Sequence, residues 1–90
     1  MSRCLHITVK GRVQCVYFRV YTQKQAAKQN IKGYVMNHPE GHVEIVAIGD
    51  EEALQQFLAW CHKGPALAKV KEVIVIDHPI AEIIEDFQIR

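Results

Sequence analysis

Two polar side chains suited to work on an anion close two different stretches of this chain. Arg19 ends "GRVQCVYFR", residues 11–19, and Asn37 ends "IKGYVMN", residues 31–37. An arginine guanidinium is a planar fork of donors that matches the oxygens of a phosphoryl group. An asparagine amide accepts through its carbonyl and donates through its NH2. Such a pair suits the holding of a tetrahedral anion. Whether the two side chains meet depends on the elements that carry them.

"CLHITVK" alternates, with Leu5, Ile7 and Val9 on one face and His6, Thr8 and Lys10 on the other, which predicts a half-buried strand with His6 on the open face of a sheet. Residues 19–30, "RVYTQKQAAKQN", are rich in helix formers and free of Gly and Pro, so a helix is expected to end near Asn30. "IKGYVMN" and "HVEIVAIG" flank the turn "HPEG" and read as a hairpin over residues 32–49. "DEEALQQFLAWCHKG" has a capping Asp50, acidic Glu51 and Glu52 in the first turn, and an apolar stripe of Leu54, Phe57, Leu58 and Cys61. "AKVKEVIVI" reads as a fourth strand, "DHPIAEIIED" as a solvated acidic loop, and "FQIR" as a candidate short fifth strand.

The order βαββαβ specifies an α+β, ferredoxin-like sandwich: an antiparallel sheet with two helices on one face. In that arrangement strands one and two run parallel, joined by a right-handed crossover, with strand three between them. Their C-terminal ends share one edge of the sheet, about 10 Å apart. The loop after strand one then faces Asn37 across a gap that accommodates a tetrahedral anion. A loop feeding a helix N-terminus presents unpaired N–H groups to an anion, and successive N–H groups in a curved loop form a concave nest. Val13, Val16 and Phe18 are placed to anchor such a loop to the core. One glycine and one arginine are weak evidence, however, and a plain connection with a solvated Arg19 fits the spacing at least as well.

At these residues the sequence resembles the acylphosphatase family. "GRVQCVYFR" is similar to the signature Gly-x-Val-Gln-Gly-Val-x-Phe-Arg. "GYVMNHPEGHVEIVAIG" resembles the second signature, with Gly33, Tyr34, Val35, Asn37, Gly41, Val43 and Gly49 in register, and "GPALAKV" resembles a Gly-Pro-x-x-Ala-x-Val stretch. The resemblance implies hydrolysis of a small-molecule acyl phosphate to a carboxylate and inorganic phosphate, without a metal or other cofactor. It implies that Arg19 binds the phosphoryl group and Asn37 places the water. It also implies that the backbone N–H groups of Cys15, Val16, Tyr17, Phe18 and Arg19 cradle the phosphoryl oxygens. Cys15 departs from the signature, which has Gly there. If the position needs a positive φ, a cysteine costs about 1–3 kcal/mol of strain; if it needs close backbone approach, the side chain crowds the site.

The bulk composition narrows the alternatives. Ninety residues make one domain. A net charge of +1 points to neither a nucleic-acid nor a membrane partner. No apolar run approaches a membrane span and the start lacks the apolar region of a secretory signal, so a soluble cytoplasmic monomer is expected. Three cysteines without a CxxC pair exclude a disulfide framework. His38 and His42 flank the hairpin turn and can be brought together, but with no third or fourth ligand nearby no metal site is expected. Three rival readings remain. A cysteine phosphatase needs Cys-x5-Arg, and Cys15 to Arg19 is Cys-x3-Arg. An RNA-binding module shares the element order, but "KGYVMNHP" lies on the second strand and lacks the later stacking aromatics. A non-catalytic anion- or small-ligand-binding module on the same fold is the third.

Overall fold

The alternation that opens the chain runs further than "CLHITVK" alone suggests. In a computed structural model, which describes residues 3–78 and 84–90, β1 spans Arg3–Arg12. It continues through Gly11, where the register against β4 (Lys69–Asp77) shifts between Lys10 and Gly11. Gly11 has a φ of 129°, and a Cβ there would lie 2.1 Å from the Lys69 carbonyl oxygen. The irregularity thus depends on the missing side chain and redirects the chain into the loop that follows.

The remaining elements are α1 (Phe18–Lys28), β2 (Lys32–Asn37), β3 (Val43–Gly49), α2 (Glu51–Lys63) and β5 (Phe87–Ile89). The sheet order is β4-β1-β3-β2-β5. β3 lies between β1 and β2 and is antiparallel to both, so β1 and β2 run parallel and their C-terminal ends share an edge, as the topology requires. The short last strand is present. It pairs parallel to β2, Gly33 opposite Phe87 and Val35 opposite Ile89, which makes the expected antiparallel sheet a mixed one at that edge. Three residues carry too short a pattern to announce a direction. The expected acidic loop falls partly on residues 79–83, outside the described residues.

One face of the sheet carries the core. Leu5, Ile7, Val9, Val35, Val43 and Ile45 are buried against Phe18, Ala26, Leu54, Phe57 and Cys61 from the two helices. α2 follows its sequence closely. The Asp50 side chain accepts from the Ala53 N–H at 2.8 Å, and the Gly64 N–H donates to the Trp60 carbonyl at the other end. α1 buries Phe18, Thr22 and Ala26, four residues apart, while Val20 and Tyr21 stay exposed. It is fixed at its side by Gln23, whose amide donates to the Phe87 carbonyl at 2.9 Å.

Gly33 sets the closest approach in the sheet. Its φ is 137°, and a Cβ would stand 1.8 Å from the Val46 carbonyl oxygen. Gly33→Ala is therefore expected to cost about 3 kcal/mol or more, combining backbone strain with a forced separation of β2 from β3. Urea unfolding monitored by circular dichroism checks this; a midpoint unchanged from wild type contradicts it.

Candidate active site

Between β1 and α1 the chain makes two left-handed turns in quick succession. Cys15 has a φ of 60° and Tyr17 a φ of 61°, whereas Val16 between them is not in the positive-φ region. Alternation of this kind is how backbones build anion-binding concavities from successive N–H groups. Cys15 thus answers the question raised by the signature glycine: the position demands a left-handed conformation, which costs a non-glycine residue about 1–2 kcal/mol.

Tyr17 is also the N-cap residue just ahead of α1, and its side chain makes no capping bond. The first turn of α1 holds no acidic residue, and it contains Arg19. This is the reverse of α2, whose N-terminus is capped by Asp50 and filled with Glu51 and Glu52. Among the described residues, no backbone hydrogen bond takes up the N–H groups of residues 15–20; the first to be engaged is that of Tyr21, donating to the Tyr17 carbonyl at 3.1 Å. A helix end with orphan donors, no cap and a cation in its first turn is poised for an external anion.

The loop is held from beneath. Val13 and Phe18 are buried, Val16 packs against the same core, and the Phe18 and Trp60 rings meet at 5.5 Å. Gln14 holds it from the side: its amide nitrogen donates to the His38 carbonyl at 2.7 Å and to the His42 carbonyl at 3.0 Å. Those two carbonyls close the β2–β3 turn, so Gln14 ties the loop to the turn that follows Asn37.

Cys15, Tyr17, Phe18, Arg19 and Asn37 line one pocket of roughly 350 Å³, together with Val13, Val20 and Ile89. The structure therefore brings the two polar residues singled out in the sequence to the same cavity. Val16 is the member of the expected set whose side chain does not line the pocket, since it faces the core. Arg19 is partly buried as a residue, and its Nη1 donates to the Arg90 main-chain oxygen at 3.2 Å in an exposed hydrogen bond. Asn37 is exposed at the end of β2, and no side-chain hydrogen bond among the described residues engages its amide.

Sequence reasoning missed the contribution of β5. Ile89 lines the pocket and the Arg90 oxygen steadies the arginine, because the strand pairs alongside β2. No local pattern in "FQIR" carries that information. It also missed a third donor near the turn histidines. The His38 and His42 rings stack with centroids 4.1 Å apart, and the Glu44 carboxylate joins them, with one donor atom from each residue within 4.8 Å of the others. The thiols divide by burial. Burial pushes Cys61 up to about 12 and raises Cys4, whereas Cys15 is exposed at the pocket.

The comparisons with known proteins agree with this geometry. The family profile described as acylphosphatase matches residues 5–89. An acylphosphatase of Marinobacter nauticus is 41% identical over 83 residues, covering 92% of this chain and 90% of that protein. The crystal structure of acylphosphatase from Bacillus subtilis superposes with a TM-score of 0.93 at 38% identity, covering 100% of this chain and 99% of that one. The structure of an acylphosphatase from Coxiella burnetii gives 0.92 at 34% identity, over 99% and 93% of the two chains. With the family profile matching residues 5–89 and such relatives covering nearly the whole chain, this chain belongs to the acylphosphatase family.

Proposed function

We propose that this chain hydrolyses acyl phosphates to a carboxylate and inorganic phosphate in the pocket between the β1–α1 loop and the end of β2. The observation that carries the reading is the meeting of Arg19 and Asn37 at an uncapped helix N-terminus. The phosphoryl group sits in the concavity of residues 15–19, its oxygens accepting from backbone N–H groups and from the Arg19 guanidinium. The Asn37 carbonyl accepts from a water and aims its oxygen at phosphorus. As the P–O bond to the water forms, the P–O bond to the acyl group breaks and the carboxylate leaves with the electron pair. A carboxylate is a weak base, so no strong general acid is needed. The proton released by the water passes to a phosphoryl oxygen, which relieves Asn37 of any role as base. Charge that builds on the equatorial oxygens is met by donors already in place.

The hydrogen bond from Arg19 to the Arg90 main-chain oxygen supports this assignment. It leaves the remaining guanidinium N–H groups to a ligand while restricting the side chain, and preorganisation of that kind lowers the cost of binding.

The second reading, an anion-binding module without catalysis, draws its weight from Cys15 in the strained glycine position. Hydrolysis of benzoyl phosphate, measured beside inorganic phosphate binding, separates the two: turnover supports the enzyme, and binding without turnover supports the module.

Arg19→Ala is expected to lower kcat/KM on the order of 10³-fold or more, as for loss of an arginine finger. Arg19→Lys restores little, because it lacks the planar fork. Asn37→Ala is expected to cost about 10²–10³-fold, mainly in kcat. Near-full activity in a folded Arg19→Ala or Asn37→Ala variant contradicts the assignment. Cys15→Gly tests the loop itself. It removes about 1–2 kcal/mol of left-handed strain and adds up to about 1 kcal/mol of unfolded-chain entropy, so stability should rise by about 0.5–1 kcal/mol. Activity should be equal or higher. An inactive Cys15→Gly protein makes the thiol a nucleophile and overturns the mechanism.

A further inference from the structure

Four of the five histidines gather outside the pocket, on and beside the sheet face that the helices leave open. His42 and Glu44 are two residues apart along one edge of the hairpin, and so project to the same side. The alternation places them opposite the core face, which takes Val43 and Ile45. His38 faces His42 across the turn, where the His38 N–H donates to the His42 carbonyl at 2.8 Å. The two imidazoles stack with an interplanar angle of 13°. From β1, the His6 Nε2 lies 3.8 Å from a Glu44 carboxylate oxygen, and the His78 ring is 5.8 Å from that of His6.

We infer that His38, His42 and Glu44 form a binding site for a divalent transition-metal ion of the zinc class, separate from the acyl phosphate pocket. Two imidazoles and one carboxylate are a donor set that zinc takes readily, with a solvent position left open. The same set disfavours magnesium, which prefers oxygen ligands in an octahedron.

The geometry carries the inference: one donor atom from each of the three residues already lies within 4.8 Å of the others. The Glu44 side chain is only 19% exposed, and no hydrogen bond among the described residues engages its carboxylate. A partly buried carboxylate with imidazoles around it gains from a cation held among them. The His38 Nδ1 accepts from the Glu40 N–H at 3.1 Å. The Glu40 carboxylate is 3.8 Å from the same atom and, being 79% exposed, is free to swing in as a further ligand.

Zinc–nitrogen and zinc–oxygen bonds of about 2.0–2.2 Å bring tetrahedral donors closer together than they stand here, so the side chains must draw in. All three are only partly buried and can rotate to do so. Binding through His38 Nδ1 exchanges the Glu40 N–H for the metal on one lone pair.

The test is a titration of metal-stripped protein with zinc chloride at neutral pH, in competition with a chromophoric chelator. Wild type is expected to bind one equivalent with micromolar affinity, unaffected by excess magnesium. Glu44→Gln and His42→Ala should each weaken binding by about ten-fold or more. Glu44→Gln is nearly isosteric and keeps the fold testable: zinc should raise the melting temperature of wild type and not that of this variant. Because a thiol is also a zinc ligand, Cys15→Ser serves as a control and should leave the affinity unchanged. Absence of micromolar binding, or binding that survives both Glu44→Gln and His42→Ala, overturns the inference.

Discussion

The structure turns on a helix that starts without a cap. Helices normally satisfy their first N–H groups with a side chain, as α2 does with Asp50. At α1 that role is left open, and the chain enters the helix through two left-handed residues, Cys15 and Tyr17. Both features are unfavourable in isolation. A strained, undercapped loop persists only where its surroundings over-determine it, and here they do. Val13 and Phe18 lock its ends into the core, and Gln14 fastens its middle to two carbonyls of the β2–β3 turn. The proposed occupant of that end is an anion that accepts from the orphan donors.

The sheet order converts this local device into a site. Because β3 lies between β1 and β2, the loop after β1 and the residue ending β2 arrive at one edge, and Asn37 joins Arg19 without any long-range contact between their own side chains. β5 adds a third wall. Its parallel pairing with β2 sets Ile89 in the pocket lining and puts the Arg90 oxygen in reach of Arg19. The turn gripped by Gln14 has the Asn37 amide at one end and the His38–His42 pair at its base. The pocket edge and the histidine cluster are therefore built on the same few residues, although they share no lining side chain.

Much of this was legible from residue order, for identifiable reasons. α2 could be read almost to the residue because its cap, acidic first turn and apolar stripe all report the same element. The meeting of Arg19 with Asn37 followed from topology, which depends on element order and not on side-chain detail. Other features were hidden. The extension of β1 to Arg12 passes through a register shift at Gly11 that a simple alternation does not foresee. The direction of β5 is a property of its partner strand. Glu44 could not be joined to the turn histidines without the cross-strand register, which decides the face each residue takes. The demand at position 15 was visible only as two options; the φ of 60° establishes the left-handed backbone, and Cys15 also lines the pocket.

The central claim is that the backbone N–H groups from Cys15 to Arg19 and the Arg19 guanidinium form one preorganised anion cradle. The most direct measurement is a titration of the isotopically labelled protein with inorganic phosphate, followed by amide and side-chain NMR shifts. Saturable shifts are expected in the amides of residues 15–19, the Arg19 guanidinium and the Asn37 side chain. Shifts that instead centre on another surface, with those amides unmoved at saturating phosphate, contradict it.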